Sequence, residues 1–235
     1  MGHAPPDDWV MTGEERARMR DLLRLAVRQA RLPGAELTHP GVFVRPSVPD
    51  DELVDRFSRE LSALGGSVHH ATTAPDVVAI VARLVADQSD AKVLMWDERH
   101  LPVPGIATAL RDAGLTLFTQ DPANAQSSDH RHLLATAAVG LTGADAALAQ
   151  TGSLVLASGP GRGRLASLLA PILVALVLRE ALIGSLPELI AARPELVTRG
   201  ANFVCITGPS RTADIEHVLA RGVHGPRDVH VVFVD

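Results

Sequence analysis

A series of short, almost unbroken apolar runs constrains this chain more than any other feature: Lys92–Trp96 (KVLMW), Ser153–Ala157 (SLVLA), Pro171–Leu178 (PILVALVL) and His230–Val234. A strand with one wet face alternates apolar and polar residues, whereas a strand covered on both faces carries Val, Leu and Ile at nearly every position. Leu115–Thr119, Ala201–Ile206 and the short Ser67–His70 join them as strand candidates, and Ala144–Ala149 as a short extended stretch. Between them lie segments with helical spacing. Met19, Leu22, Leu23, Ala26 and Val27 recur so across Gly13–Ala30, stopped by Pro33 and Gly34. Leu53, Val54, Phe57, Leu61 and Leu64 do the same across Asp50–Leu64, ended by Gly65 and Gly66. Further helices are predicted at Pro75–Ala86, opened by its proline, at Ile106–Ala113, through most of His132–Leu141, at Ser185–Ala192 and at Ala213–Arg221. Buried strands interleaved with helices predict an α/β domain: a mostly parallel sheet with helices on both sides, in three α/β/α layers. No internal repeat, low-complexity tract or long linker divides the chain. One domain is expected.

Composition narrows the partners. With 3% aromatic residues, no tyrosine and a net charge of −5, the chain lacks both the stacking platforms and the basic excess that nucleic-acid binding uses. One cysteine, Cys205, permits no intrachain disulfide and no four-thiolate zinc or iron–sulfur site; within Phe203–Ile206 it reads as a buried small hydrophobe. The first residues, around Pro5 and Pro6, form the one stretch where disorder is expected; they are polar and lack the apolar core of a secretory signal. The longest mostly apolar stretch, Leu165–Leu178, carries Pro171 and is too short to span a bilayer. A cytoplasmic protein is expected, with self-association left open.

Ligands of open α/β sheets gather beyond the carboxyl ends of strands, which directs attention to the turns after Ser153–Ala157 and after Ala201–Ile206. The first, Ser158-Gly-Pro-Gly-Arg-Gly-Arg164, has Gly159, Gly161 and Gly163 for close backbone approach, and Arg162 and Arg164 as planar donors for carboxylate or phosphate. It matches neither the P-loop nor the dinucleotide pattern, so a solvated surface turn is the equal alternative. In the second, Thr207-Gly-Pro-Ser-Arg-Thr212, Gly208 gives the turn, and Ser210 or Thr212 can cap the helix expected to follow. That helix N-terminus could hold an anion, or the residues could be caps alone. Asp145 is a candidate acid or ion-pair partner, and Thr151-Gly152-Ser153 a turn with two hydroxyls but no local base. His224, between glycines in Arg221–Pro226, could reach a shared cleft with the second turn. His69-His70 and His130-Arg-His132 lack the spacing of a metal site, and adjacent histidines on a strand face opposite ways.

Gly143-Ala-Asp-Ala-Ala-Leu-Ala-Gln-Thr-Gly-Ser-Leu-Val-Leu156, the Ser158–Arg164 turn, Thr207-Gly-Pro-Ser-Arg-Thr-Ala-Asp-Ile-Glu216, Arg221-Gly-Val-His-Gly-Pro226 and the C-terminal Val-His-Val-Val-Phe-Val-Asp235 follow one another in order. From about Leu94 onward this series resembles the lactate-utilization protein C (LUD-domain, YkgG-type) family. The resemblance implies a NagB/RpiA/CoA-transferase-like fold, as in sugar-phosphate isomerases. It divides the chain into an N-terminal helical extension (1–40) packed on a single LUD-type α/β domain (41–235). It also implies an accessory role in oxidising L-lactate to pyruvate, with iron–sulfur clusters in partner proteins and no cofactor or metal in this chain. A small carboxylate or phosphate would then lie at the glycine-rich turns. Gln150 stands where a glutamate is expected from CoA-transferase relatives. An amide can hydrogen-bond a ligand but cannot attack a thioester, which weighs against the alternative of an independent enzyme of that type.

Overall fold

The computed structural model describes residues 12–29, 50–87, 91–124, 127–199, 202–213 and 219–235. The residues around Pro5 and Pro6, and the stop at Pro33 and Gly34, lie outside them. The chain divides into two compact units, 1–41 and 42–235. The first holds helix α1 (Gly13–Gln29), opened by a reciprocal cap: the Thr12 amide donates to Glu15 at 2.7 Å and the Glu15 amide to Thr12 Oγ1 at 3.3 Å.

In the second unit the order is α2 (Asp50–Ala63), β1 (Ser67–Ala71), α3 (Ala74–Leu84), β2 (Lys92–Met95), α4 (Ile106–Asp112), β3 (Thr116–Thr119), α5 (Ser128–Ala135), β4 (Val139–Gly143), β5 (Ala146–Leu148) and β6 (Ser153–Ser158). Then come β7 (Ile172–Leu178), β8 (Leu182–Ile183), α6 (Leu186–Ala192), α7 (Glu195–Arg199), β9 (Asn202–Ile206), β10 (Arg211–Ala213), β11 (Leu219–Arg221) and β12 (Asp228–Val234). Six strands form one sheet, β1-β12-β7-β4-β2-β3, with every neighbouring pair parallel. The parallel arrangement is the one expected, and Lys92–Trp96, Pro171–Leu178 and His230–Val234 supply three of its strands.

Alternation fixes what each face carries. Register along β12, β7 and β4 puts Val229, Val231 and Phe233 on one face with Leu173, Ala175, Val177, Gly140 and Thr142. Helix α2 lies there, Phe57 meeting Phe233 edge-on at 5.3 Å between ring centroids. On the opposite face α3 and α4 pack together, burying Val77, Val81, Ile106 and Leu110.

Strands β5, β6, β8 and β9 form a second, mixed sheet in the order β8-β5-β6-β9. Its Leu154 and Leu156 join the main core, while Val155, Ala146 and Leu148 pack with Leu189 of α6 and Leu196 of α7 in a smaller cluster. Two strands expected in the parallel sheet, Ser153–Ala157 and Ala201–Ile206, therefore belong elsewhere, and they run antiparallel to each other. Length and apolarity mark a strand as buried but carry no information about which sheet receives it.

Three further expectations are corrected. His132–Leu141 is not mainly helical: α5 ends at Ala135, and Val139–Gly143 is a central strand between β2 and β7, fully buried. Ladder bonding on both sides outweighs the weak local preference of this Ala-rich stretch. Ala213–Arg221 does not open as a helix, because Arg211–Ala213 pairs antiparallel with Leu219–Arg221. Cys205 is exposed, since β9 is the edge of the small sheet. No described helix is long and apolar enough to cross a membrane.

Candidate functional site

The parallel sheet has one reversal of direction. From β2 the chain steps outward to β3, then returns past β2 to β4, which leaves a crevice beyond the carboxyl ends of β2 and β4 where such sheets bind ligands. Trp96 leaves β2 at that point, and Asp145 follows β4 by two residues. The Ser158–Arg164 turn reaches over from the small sheet and is clamped there. Asp97 N–H donates to the Gly161 carbonyl at 2.8 Å, and Trp96 Nε1 donates to the Gly163 carbonyl at 3.0 Å. Gln120 Oε1, beyond β3, accepts from Leu165 N–H at 3.4 Å. Gly159 and Arg162 close the turn with reciprocal backbone bonds of 3.3 and 2.9 Å, and Gly161 is the one of its three glycines with positive φ, +73°.

The two arginines of this turn differ in kind. Arg162 is buried in an ion pair with Asp145, their side chains 11% and 9% exposed, and its guanidinium lies 4.7 Å from the Trp96 ring centroid. The same carboxylate oxygen accepts from Ala157 N–H at 2.8 Å, and Arg193 Nη1 donates to the Asp145 carbonyl at 2.8 Å. Asp145 thus acts as the ion-pair partner, one of its two expected roles. Arg164 is exposed and has no ion-pair partner among the described residues. A small cavity of about 50 Å³ opens beside them. Trp96, Leu156, Leu168 and Val204 give it apolar walls, and Ser158, Ser167, Arg162 and Arg164 its polar groups. Ser167 Oγ donates to the Arg164 carbonyl at 3.0 Å and Ser158 Oγ to the Asn202 carbonyl at 3.4 Å, so neither hydroxyl is coupled to a base.

The other candidate residues lie elsewhere. Because β6 and β9 are antiparallel, with Ser158 opposite Asn202 and Leu154 opposite Ile206, the second turn leaves β9 at the far end of β6 from the first. The ends are separated by about 13 Å, from four strand steps of about 3.3 Å each. At that far end Thr151, Ser153 and Thr207 form a chain of hydroxyls at 2.7 and 2.8 Å, which satisfy one another. Gly152 packs on the Leu61 backbone of α2, Gly208 packs on Leu64, and Gln150 is exposed, its backbone N–H donating to the Gly184 carbonyl.

Ser210 does meet the Gly222–Pro226 turn, its amide donating to the Pro226 carbonyl at 2.8 Å and its carbonyl accepting from Gly222 at 3.0 Å. His224 of that turn is exposed. Thr212 lies in β10, so among the described residues no helix opens at Ser210 or Thr212 to hold an anion, and the Ser210 amide is already bonded to the Pro226 carbonyl. The expected common cleft of both turns is replaced by one cleft at the first turn.

Among the histidines, His69 Nε2 and His230 Nδ1 lie 3.0 Å apart across β1 and β12, half-buried, while His70 stacks on Phe233 on the opposite face at 6.0 Å. His130 accepts from the Asp121 amide at 3.2 Å. Among the described residues no three His, Cys, Asp or Glu side chains are grouped to hold a metal.

Residues 54–234 match the LUD domain family model. The chain belongs to the LUD domain family. The matched LUD segment contains every candidate residue above. This LUD chain is 29% identical over 189 residues to lactate utilization protein C of Macrococcus caseolyticus, covering 79% of each. It is 30% identical over 176 residues to lactate utilization protein C of a Geobacillus strain, covering 70% of this chain and 71% of that one. The crystal structure of a DUF162 family protein from Deinococcus radiodurans has the same fold, with a TM-score of 0.57 at 19% identity, over 80% of this chain and all of that one.

Sequence reasoning missed Trp96, Gln120, Arg193 and Val204 as parts of the LUD cleft. They come from four separate elements or loops, and no local pattern links them to the turn at Ser158–Arg164.

Proposed function

We propose that this LUD-domain protein is an accessory component of L-lactate utilization in the cytoplasm, working beside iron–sulfur partner proteins, and that it binds a small anion at the Ser158–Arg164 turn. The observation that carries the pathway is similarity along most of both chains to proteins named lactate utilization protein C. For the anion, the support is Arg164, an arginine without an ion-pair partner among the described residues at the mouth of a cavity in the crevice of the sheet. Arg162 is paired with Asp145 and positions the turn. The cleft supplies charge and shape but no nucleophile paired with a base. An accessory binding role suits that chemistry better than independent acyl or isomerase turnover, for which Asp145 and His224 would have to converge.

Deleting the gene is expected to abolish growth on L-lactate while sparing growth on glucose. Complementation with the native chain should restore growth, and Arg164→Ala should not. Unimpaired growth of the deletion strain on L-lactate would sink the pathway. Full rescue by Arg164→Ala would sink the anion site and favour a chain that only holds partners together.

A further inference from the structure

We infer that the cleft beside the Ser158–Arg164 turn takes a monocarboxylate with a short apolar body, its carboxylate on Arg164 and its body between Trp96, Leu156, Leu168 and Val204. The inference rests on the reading that this turn binds an anion, and it specifies which kind. Two observations select the class. The first is charge. Arg162 carries no net charge into the cleft, because the Asp145 carboxylate is held against it and Trp96 covers its face. Arg164 is left as the single uncompensated cation among the residues lining the cavity. One guanidinium matches one carboxylate in a two-point contact, whereas a phosphate dianion would keep a surplus charge with no second cation to meet it.

The second observation is the wall. Leu156 and Val204 are paired across β6 and β9, so their side chains stand side by side on one sheet face, and Leu168 and the Trp96 ring complete an apolar enclosure. A small hydroxy acid or an inorganic ion would leave this enclosure wet. An aliphatic chain would displace that water and gain the transfer energy of its methylenes. Ser158 and Ser167 spend their protons on backbone carbonyls, so toward a ligand they present oxygen lone pairs, which suit a hydroxyl or amide proton and repel a second anionic oxygen.

Isothermal titration of the whole chain with acetate, butyrate, hexanoate, L-lactate and inorganic phosphate tests this. Affinity is expected to rise about fourfold with each added methylene up to the length of the slot. Arg164→Ala should weaken hexanoate about tenfold or more, the usual worth of a charge-assisted contact. Leu168→Asn should weaken hexanoate while leaving acetate unchanged. Both side chains are at least partly exposed, so unchanged melting temperatures would confirm that the variants fold. If phosphate, lactate and hexanoate bind equally and all depend on Arg164, the anion reading survives and the apolar body is overturned. If none of the anions binds, both fall. If hexanoate binds but ignores Arg164→Ala, the contact is apolar adhesion, and the proposal is overturned.

Discussion

At the scale of residues, the pair Asp145–Arg162 decides more than any other contact at the cleft. Both side chains are about nine-tenths buried, and removing one leaves a charge without water or a partner. Asp145→Ala is therefore expected to cost about 3–5 kcal/mol in urea unfolding. Arg164→Ala, exposed, should change stability by less than about 0.5 kcal/mol. A loss of function in Arg162→Ala would then report on folding, which is why the functional tests use Arg164. The half-buried pair His69–His230 makes a second prediction. Burial holds both imidazoles below their ordinary pKa; Arg83 of α3 and His70 add to this at His69, and His69 adds to it at His230, while Asp228 pulls His230 the other way. Groups with a lowered folded pKa bind fewer protons folded than unfolded between the two values. Their contribution is full above about pH 6.5, the ordinary histidine value, and is lost as pH falls below it. Unfolding free energy should drop from pH 7.5 to pH 5, and His69→Phe should flatten that slope. An unchanged slope in the variant would remove the pair from the account.

Single elements show where tertiary contact overrides local preference. The Thr151-Gly152-Ser153 turn reads locally as a turn with two hydroxyls and no base beside them, yet its glycine is fixed by packing. Gly152 has φ +63°, and a Cβ there would lie 2.4 Å from the Leu61 amide nitrogen of α2. Gly152→Ala combines a left-handed alanine with a backbone clash and should destabilise by more than about 1–2 kcal/mol, the cost of the conformation alone. A melting temperature equal to that of the native chain would refute the packing. Strand β9 is the opposite case: its apolar sequence predicts burial, and its place at a sheet edge exposes Cys205. Even so, desolvation in the remaining surroundings pushes the thiol upward from its ordinary value, which lowers its thiolate fraction.

At the scale of the whole molecule, residues 42–235 form one compact unit containing both hydrophobic clusters and the complete cleft. A chain beginning at Val42 is expected to fold with a single cooperative thermal transition and to retain the Arg164-dependent binding. Circular dichroism and titration check this, and a fragment without a cooperative transition would show that unit 1–41 is needed for folding. The cleft depends on the union of two sheets: the parallel sheet supplies the crevice with Trp96 and Asp145, and the small sheet supplies the turn with Arg162 and Arg164.

Much of this protein is legible from its residues alone. Buried strands such as Ile172–Leu178 and Asp228–Val234 declare themselves because burial on both faces demands apolar side chains throughout. Helices such as α2 declare themselves through one apolar stripe. The ordered glycine-rich segments carry the family, and Arg162 and Arg164 stand out as planar hydrogen-bond donors among glycines, because glycine and arginine have distinctive local chemistry. Only the tertiary structure decided which arginine is already paired, that the two glycine-rich turns lie at opposite ends of β6, and that Trp96 and Val204 wall the cleft. The physical reason is the same in each case. Periodicity records how much of a side chain is covered, while the identity of the covering group depends on strand pairing between residues far apart in sequence, for which a single chain carries no local signal.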